Sequence, residues 1–497
     1  MDRLLTMGFM SWIPEIRKVV HVVLSLGLGL ATAGAASLAP QTDGEHPPNV
    51  VIVVADDLGY GDLGSYGHPT IVTPNLDRLA AEGQKWTSFY AAANVCTPSR
   101  AALLTGRWPV RSGMISDRRW VLTGRAAGGL PDSEITIAEI LRTRGYRTGA
   151  IGKWHLGQQP AFLPTRQGFD EFFGTPFSND EIVSPEWRRS FARRDFWNAP
   201  LFYDPRSEYW DIPLLRQEEE IERPVDQRTL TKRTTEAAVD FIGRHRHEPF
   251  FLYVAYHMPH VPLFASDAFR GRSAAGIYGD AVEEVDAGVG AIVSALEAHG
   301  LSRDTLVVFT SDNGPWPAFR EHGGSAGPLR SGKGTTWEGG NRVPGIFWWP
   351  GRISPRSVNE MGAQLDLLPT IAALTGAALP EDRPIDGVDL RPVLLNGEPS
   401  PRRVMLYFRG TSVYAIREGA YKAHLTTQPA FELDQTVTQH EPPLLYHLGH
   451  DPGERHDLAA QHPEVVSQLL DTLAGERERL TYGEDQLFPQ LPRDVHP

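Results

Sequence analysis

Seven residues, Asn49–Ala55, run NVVIVVA with no polar side chain after the first, and the run ends on Asp56-Asp57. A continuous β-branched stretch of this length is the pattern of a strand covered on both faces, which belongs in a parallel sheet wrapped by helices. Phe250–Ala255 is a second such run. Thr305–Thr310 (TLVVFT) is a third and continues into Ser311-Asp312-Asn313-Gly314. Gly149–Gly152 is a short fourth, preceded by a helical pattern through Ile137–Arg144. Helical periodicity also falls at Leu76–Glu82, Thr229–Arg244, Ala281–His299 and Leu365–Leu374. This alternation predicts an α/β fold built on a large, mostly parallel sheet flanked by helices. Ligands in such sheets bind beyond the carboxyl ends of the strands, and both acidic pairs fall there.

The texture changes near Asn396. Val404–Phe408, Val413–Arg417 and Tyr421–Thr426 are short alternating segments, and Pro463–Leu480 is amphipathic with a proline at its start. These predict a smaller antiparallel sheet and a terminal helix. The expected organisation is a catalytic domain over 47–395 and a C-terminal α+β subdomain over 396–497. Residues 181–235 interrupt the alternation. They combine Trp187, Arg188-Arg189, Arg193-Arg194, Phe196-Trp197 and Tyr203 with a Glu218–Glu220 run. The expectation is a surface insertion whose acidic part is a solvated face and whose aromatic and basic part overhangs the site.

At the N-terminus, Arg17-Lys18 precede an apolar run, Val19–Ala31, and Ala33-Gly34-Ala35 offers small residues for cleavage. This predicts a signal peptide over 1–35; the alternative, a membrane anchor, requires about 20 apolar residues. The mature chain is then exported, with no stable membrane span. Cys96 is the single cysteine, so no internal disulfide forms, and no Asn-x-Ser/Thr sequon occurs. Both point to a bacterial periplasm, or secretion, more than to an animal lumen. With 48 Lys+Arg against 61 Asp+Glu the net charge is −13, which repels phosphate backbones and excludes a general nucleic-acid binder. Oligomeric state leaves no trace in the sequence.

Asp56, Asp57, Asp312 and Asn313 are oxygen donors at strand ends, the set a hard divalent cation prefers. Strand-end aspartates also cap turns, so either pair alone is weak evidence. Cys96 opens Cys-Thr-Pro-Ser-Arg, followed by Ala-Ala-Leu-Leu-Thr-Gly through Gly106. Pro98 suits the first helical position and Gly106 a stop. Residue 96 is therefore expected just before a helix N-terminus, where free amides favour an anion, with Arg100 one turn in to fork onto it.

The Cys96–Arg100 segment with its Ala-Ala-Leu-Leu-Thr-Gly continuation resembles the signature of the type I, formylglycine-dependent sulfatases. Asp56-Asp57-Leu58-Gly59-Tyr60-Gly61-Asp62, Thr73–Asp77, Gly152–Gly157, Ser311–Gly314 and Gly332–Gly340 match the flanking motifs in order. The similarity covers nearly the whole mature chain. Tyr421–His424, Glu441–Tyr446 and Asp451–Glu454 resemble the arylsulfatase A-like members in particular. The resemblance implies an alkaline-phosphatase-like fold and hydrolysis of sulfate monoesters: aryl sulfates, or sulfated carbohydrate or lipid. It implies conversion of Cys96 to formylglycine by a maturation enzyme. It also implies one Ca2+ held by Asp56, Asp57, Asp312, Asn313 and residue 96. Arg100, Lys153, His155, His260 and Lys333 match the residues around the sulfate, with Ser178 a further polar contact. In that scheme one hydroxyl of the formylglycine hydrate, activated beside the cation with Asp312 as base, attacks sulfur. His155 resembles the base that releases sulfate, and His260, with Lys333, the acid for the leaving alkoxide.

Lone histidines are more often structural than catalytic. Of the pair in Tyr256-His257-Met258-Pro259-His260 the family pattern selects His260. His322 is expected on a solvent-exposed loop, and His245 and His247 at the surface. Lys153 and Lys333 have glycine neighbours that allow close backbone approach, unlike ordinary solvated lysines. The sequence departs from animal relatives in having no cysteine besides Cys96. Two rival functions share parts of this pattern: a phosphonate or phosphate ester hydrolase on the same scaffold, and a non-catalytic sulfoglycan-binding protein with an unconverted thiol.

Overall fold

The apolar runs lie side by side in the middle of a ten-stranded sheet. The computed structural model describes residues 47–187, 200–430 and 435–492; the expected signal peptide and the Arg188–Trp197 stretch lie outside them. The strands are β1 (Asn49–Ala55), β2 (Gln84–Tyr90), β3 (Arg147–Lys153), β4 (Glu171–Thr175), β5 (Leu214–Arg216), β6 (Glu219–Glu222), β7 (Phe250–Ala255), β8 (Thr305–Ser311), β9 (Arg342–Trp348) and β10 (Arg356–Ala363). Their spatial order is β10-β2-β9-β8-β1-β7-β3-β4-β5-β6. β8, β1, β7, β3 and β4 are mutually parallel, while β9 pairs antiparallel with both β8 and β2.

The pleat of β1 shows why its sequence is apolar throughout. Val51, Val53 and Ala55 enter one core with Leu76 and Leu79 of helix Pro74–Glu82, Ala238 and Phe241 of helix Leu230–Arg244, and Val285 and Val289 of helix Gly276–Ala298. Val50, Ile52 and Val54 enter a second core with Leu103 and Leu104 of helix Cys96–Thr105, Ile137 of helix Ile137–Arg142, and Leu368 of helix Leu367–Thr375. Alternate side chains thus leave on opposite faces, and each face has its own helical layer. The register then fixes the site. Ala55 pairs with Ser311, Val54 with Ala255 and Ala255 with Gly152, so β1, β8, β7 and β3 end level with one another.

The acidic run Glu218–Glu220 is exposed as expected, but 181–235 is more than a surface insertion. β5 and β6 form a hairpin that pairs with β4 and extends the sheet. Trp210, Ile212 and Leu214 are fully buried and anchor it. His322 is a second correction: it is buried, with its ring 4.7 Å from that of Tyr203. His245 is only partly exposed, its two ring nitrogens meeting Glu248 and Glu171, whereas His247 is exposed. Of the aromatic and basic part, Arg188–Trp197 lies outside the described residues; the Tyr203 hydroxyl donates to the Phe319 carbonyl, and Trp187 packs against Tyr209.

The C-terminal strands β11 (Val404–Arg409), β12 (Ser412–Glu418), β13 (Tyr421–Thr427) and β14 (Thr438–His447) form an antiparallel meander covered by helix Pro463–Arg479. Its core includes Tyr90, Ala363 and Leu365 of the large-sheet region, and residues 46–497 form one compact unit. A buried ionic knot joins the two sheets. Lys422 of β13 lies 3.0 Å from both Glu338 and Glu454 and donates to the Thr336 carbonyl. Burial opposes the charge of Glu338, but Lys422, Arg342 and Arg417 hold its carboxyl well below the usual range. Removing one partner of such a cluster strands the opposite charge. Lys422→Met is therefore expected to cost about 3–5 kcal/mol of unfolding free energy in a denaturant titration; stability equal to the parent would show that the knot does not bind the sheets.

Candidate active site

Because β1, β8, β7 and β3 end level, the residues that follow them share one space. Asp56 and Asp57 leave β1, Asp312 and Asn313 leave β8, Lys153 closes β3 with His155 two residues on, and the loop after β7 carries His257 and His260. Helix Cys96–Thr105 starts beneath them, and the loop bearing Lys333 closes the far side. All eleven site residues singled out in the sequence are at most 5% exposed.

Residue 96 is the first residue of its helix rather than the one before it, with Val95 in extended conformation as the cap. Pro98 therefore stands third, where its missing N–H also costs nothing. Gly106 ends the helix in the left-handed region, as expected. Cys96 Sγ lies 3.4 Å from Asp56 Oδ1 and accepts from Lys333 Nζ at 3.5 Å. Burial, and next to it Asp56, push the thiol well above its ordinary value. A neutral buried thiol is a poor nucleophile, so the unmodified side chain is unsuited to the chemistry its surroundings invite.

Three cations face three carboxylates. Arg100 forks onto Asp312 through Nε (2.9 Å) and Nη2 (2.8 Å), and donates through Nη1 to the Lys153 carbonyl. Lys153 pairs with Asp56 and donates to Ser178 Oγ at 3.0 Å. Lys333 lies 2.8 Å from Asp57 Oδ1. Burial opposes ionisation of Asp56, but Lys153, His260 and Arg100 outweigh it and hold the carboxyl well below its usual range. Burial wins at Asp57, raised to about 7, and at Asp312, also raised, with the neighbouring carboxylates adding to it. The cluster is therefore short of positive charge even with three cations in it.

That shortage, and the donors present, fit a hard divalent cation. Asp56, Asp57, Cys96 and His260 offer ligand atoms within 4.8 Å of one another. The Asn313 side-chain oxygen is buried without a hydrogen-bond partner, while its amide donates to Asp57. Asp312 is taken up by Arg100 on one oxygen, and its other oxygen accepts from the Asp57 backbone N–H. The predicted donor set is thus gathered, with His260 drawn in beside it and 3.6 Å from Asp57.

The histidines divide by their partners. His155 Nε2 faces the Leu122 carbonyl at 2.8 Å, so it carries the proton, and Nδ1 is a buried lone pair with no partner. Burial and Lys153 keep the ring neutral. His260 turns Nδ1 to the Val261 carbonyl and packs its ring 5.4 Å from Trp316; burial and Lys333 push it well down. His257 meets Thr175 Oγ1 at 2.6 Å and is held down to about 3 by burial, a structural histidine. Sequence reasoning missed two features. Trp316 carries Lys333 over its ring at 4.2 Å, and no spacing signals it. Glu181, partly buried and raised to about 8 by desolvation and then Asp180, lies 3.8 Å from His155; it stands three residues after Ser178.

Comparison with known proteins agrees with this geometry. The sulfatase family model matches residues 48–377, and the model for the C-terminal region of aryl-sulfatase matches residues 400–493. The chain is 43% identical to human (Homo sapiens) arylsulfatase A over 96% of either protein. It is 40% identical to mouse (Mus musculus) N-acetylgalactosamine-6-sulfatase, over 94% of this chain and 91% of that one. Among solved structures, the PsFucS1 sulfatase from Pseudoalteromonas sp. superposes with a TM-score of 0.77 at 31% identity, covering 88% of this chain and 93% of its own.

The raised thiol makes a direct prediction. In folded, unconverted protein at pH 8, Cys96 is expected to react with iodoacetamide at least about 100-fold more slowly than in denaturant, because both its exposure and its thiolate fraction are suppressed. Equal rates, read by peptide mass, would contradict the buried, protonated thiol.

Proposed function

The chain belongs to the sulfatase family and is a sulfuric ester hydrolase, and we propose that it cleaves the S–O bond of sulfate monoesters at residue 96, converted to formylglycine. The observation that carries this reading is the convergence of Arg100, Lys153 and Lys333, all buried, on one helix-start residue. The three cations are matched by three carboxylates, so with a divalent cation held there as well the pocket would carry surplus positive charge, which suits an anion. The family implies formylglycine and a metal ion. We assign the ion as Ca2+, because the donors are carboxylate and amide oxygens, with Asp56, Asp57, Asp312, Asn313 and residue 96 holding it. When bound, the ion lowers the pKa of a hydroxyl beside it and screens the charge of the arriving sulfate. The aldehyde of formylglycine supplies, as its hydrate, an oxygen nucleophile and a second hydroxyl through which sulfate can later leave.

The chain's own side chains do the rest. Lys153, Arg100 and Lys333 bind the sulfuryl oxygens and stabilise the charge that grows on them. Ser178 positions Lys153. Asp312, made more basic by burial, takes the proton of the attacking hydroxyl. His155 holds its Nδ1 lone pair ready to remove the second hydroxyl proton and release sulfate. His260 and Lys333 supply the proton for the leaving alkoxide. Lys333 is protonated already, and an anion bound beside His260 raises that ring toward protonation. Residues 47–395 carry this machinery and 396–497 form the C-terminal subdomain that closes its rim.

We further propose that the chain is exported, to a periplasm or outside the cell, and that conversion of Cys96 requires a separate maturation enzyme. No helix of the described residues is long and apolar enough to cross a membrane.

Matched 4-nitrophenyl sulfate, 4-nitrophenyl phosphate and phenylphosphonate esters test the reaction class. On converted enzyme the sulfate is expected to give the highest kcat/KM, and a dominant phosphonate rate would overturn the choice. The peptide spanning residue 96 is expected about 18 Da below its thiol mass in active material, from the exchange of CH2SH for CHO. Cys96→Ala is expected to abolish turnover with its unfolding midpoint little changed. Full activity after exhaustive chelation would remove the metal from the scheme.

A further inference from the structure

We propose that the joint between the two sheets holds a second anion, a tetrahedral oxyanion of the sulfate type, at a site that shares no residue with the pocket around Cys96. The proposal does not depend on what residue 96 does. It rests on a charge imbalance among buried side chains and on the cavity that this imbalance faces.

The imbalance belongs to the ionic knot. Lys422, Arg342 and Arg417 are each at most 9% exposed, and they share two fully buried carboxylates, Glu338 and Glu454. Lys422 is 3.0 Å from both, and Arg342 Nη1 is 3.4 Å from Glu338. Arg417 pairs with no carboxylate among the described residues. It reaches Glu338 only through the Tyr90 hydroxyl, which accepts from Arg417 Nη1 and donates to Glu338 at 2.6 Å. His424 is pushed down to about 4 by burial and then Lys422, so it adds no charge at neutral pH and offsets nothing. One buried guanidinium is left without a counter-charge, and such a charge costs several kcal/mol unless something answers it.

Arg342 and Arg417 both line a cavity of about 630 Å³, within the range of small-molecule sites. Thr87 and Ser88 of β2 bound it from the large sheet, and the β12–β13 turn at Gly419-Ala420 bounds it from the small one. The β13–β14 pair presents here its Tyr421–His447 end, the one opposite Thr427 and Thr438. The backbone holds both guanidinium groups in place. A register shift interrupts the β2–β9 pairing at Thr87, whose carbonyl accepts from Arg342 Nε. Arg417 Nε donates to the Gly419 carbonyl at 2.8 Å, inside its own turn. In each, Nη2 makes no hydrogen bond among the described residues, and neither Nη2 is sealed from solvent.

Arg403 completes the set. It lines the same cavity, is exposed, and pairs with no carboxylate among the described residues. Its carbonyl accepts from the Gly419 N–H at 3.1 Å, which ties it to the same turn. Arg402 also lines the cavity but is spent on Asp366. Glu360, the one carboxylate there, is exposed, accepts from the Ser400 N–H at 3.1 Å, and pairs with none of the four arginines. Arg417 and Arg403 are therefore the two unanswered charges. Sulfate, doubly negative at neutral pH, balances both and offers oxygens in the geometry a guanidinium fork meets. Chloride balances one and has no oxygens to receive the fork. An ion held between residues of both sheets also clamps the joint, so binding stabilises the fold.

The test uses full-length protein with residue 96 verified as formylglycine and inorganic sulfate as the probe, with ionic strength held constant by sodium chloride. Equilibrium dialysis of labelled sulfate is expected to show two sites per chain, one of them the catalytic pocket. Arg403→Gln and Arg417→Gln are each expected to weaken one site roughly tenfold, the worth of a charge-assisted hydrogen bond, and to cut the sulfate-induced rise in unfolding midpoint. In Arg403→Gln, kcat/KM on 4-nitrophenyl sulfate and the competitive Ki of sulfate are expected to change by less than about twofold. Arg403 is exposed and outside the knot, so this variant carries the test even where Arg417→Gln fails to fold. One sulfate per chain, or binding losses that track Ki, would assign all binding to the catalytic pocket and overturn the second site. Unchanged binding in Arg403→Gln, or a midpoint that rises as much with chloride as with sulfate at equal ionic strength, would overturn it too. Failure to hydrolyse any sulfate would sink the hydrolase reading and leave the dialysis and unfolding arms standing.

Discussion

Three carboxylates cannot be buried in one pocket unless positive charge is brought to them, and much of this molecule is arranged around that requirement. An unpaired buried charge costs several kcal/mol even after relaxation. Arg100 answers Asp312, Lys153 answers Asp56 and Lys333 answers Asp57, each within hydrogen-bonding distance. The balance is formal, because burial still pushes Asp57 and Asp312 upward. A divalent cation added to this set leaves the pocket with surplus positive charge. That surplus is the state an anionic ester would seek and a neutral one would not.

The origin of the pocket is the sheet register. Asp56, Asp312 and Lys153 are remote in sequence, yet they fall within one residue of one another at the ends of the parallel strands β1, β8 and β3, with β7 between β1 and β3. This is why the apolar runs were informative. A strand buried on both faces must be apolar throughout, so polar residues at its end stand out, and the pairs Asp56-Asp57 and Asp312-Asn313 were legible at once. Cys96 and Arg100 were legible for another reason, since Pro98 and Gly106 bracket a helix.

What stayed hidden had no such contrast. β9 contains Pro344 and Gly345, which signal a turn, yet its burial is complete. β2 mixes Lys and Gln with aromatics, and β5 and β6 are too short to show a period. His322 has two glycines after it and so resembled a loop residue, whereas packing against Tyr203 buries it. Trp316 and Glu181 reach the site only through tertiary contact. Which ring nitrogen of His155 and of His260 faces a carbonyl is a fact of geometry that no sequence pattern encodes.

The acidic cluster and the small sheet are tied together through the segment that carries Lys333. Lys333 meets Asp57, and three residues on the Thr336 carbonyl accepts from Lys422 of β13. Lys422 is itself held between Glu338 and Glu454. The backbone of 333–336 is therefore pinned at one end by the cluster and at the other by the knot, so an ion pair lost from the knot loosens the support of Lys333, because the two electrostatic constraints act on one short piece of chain.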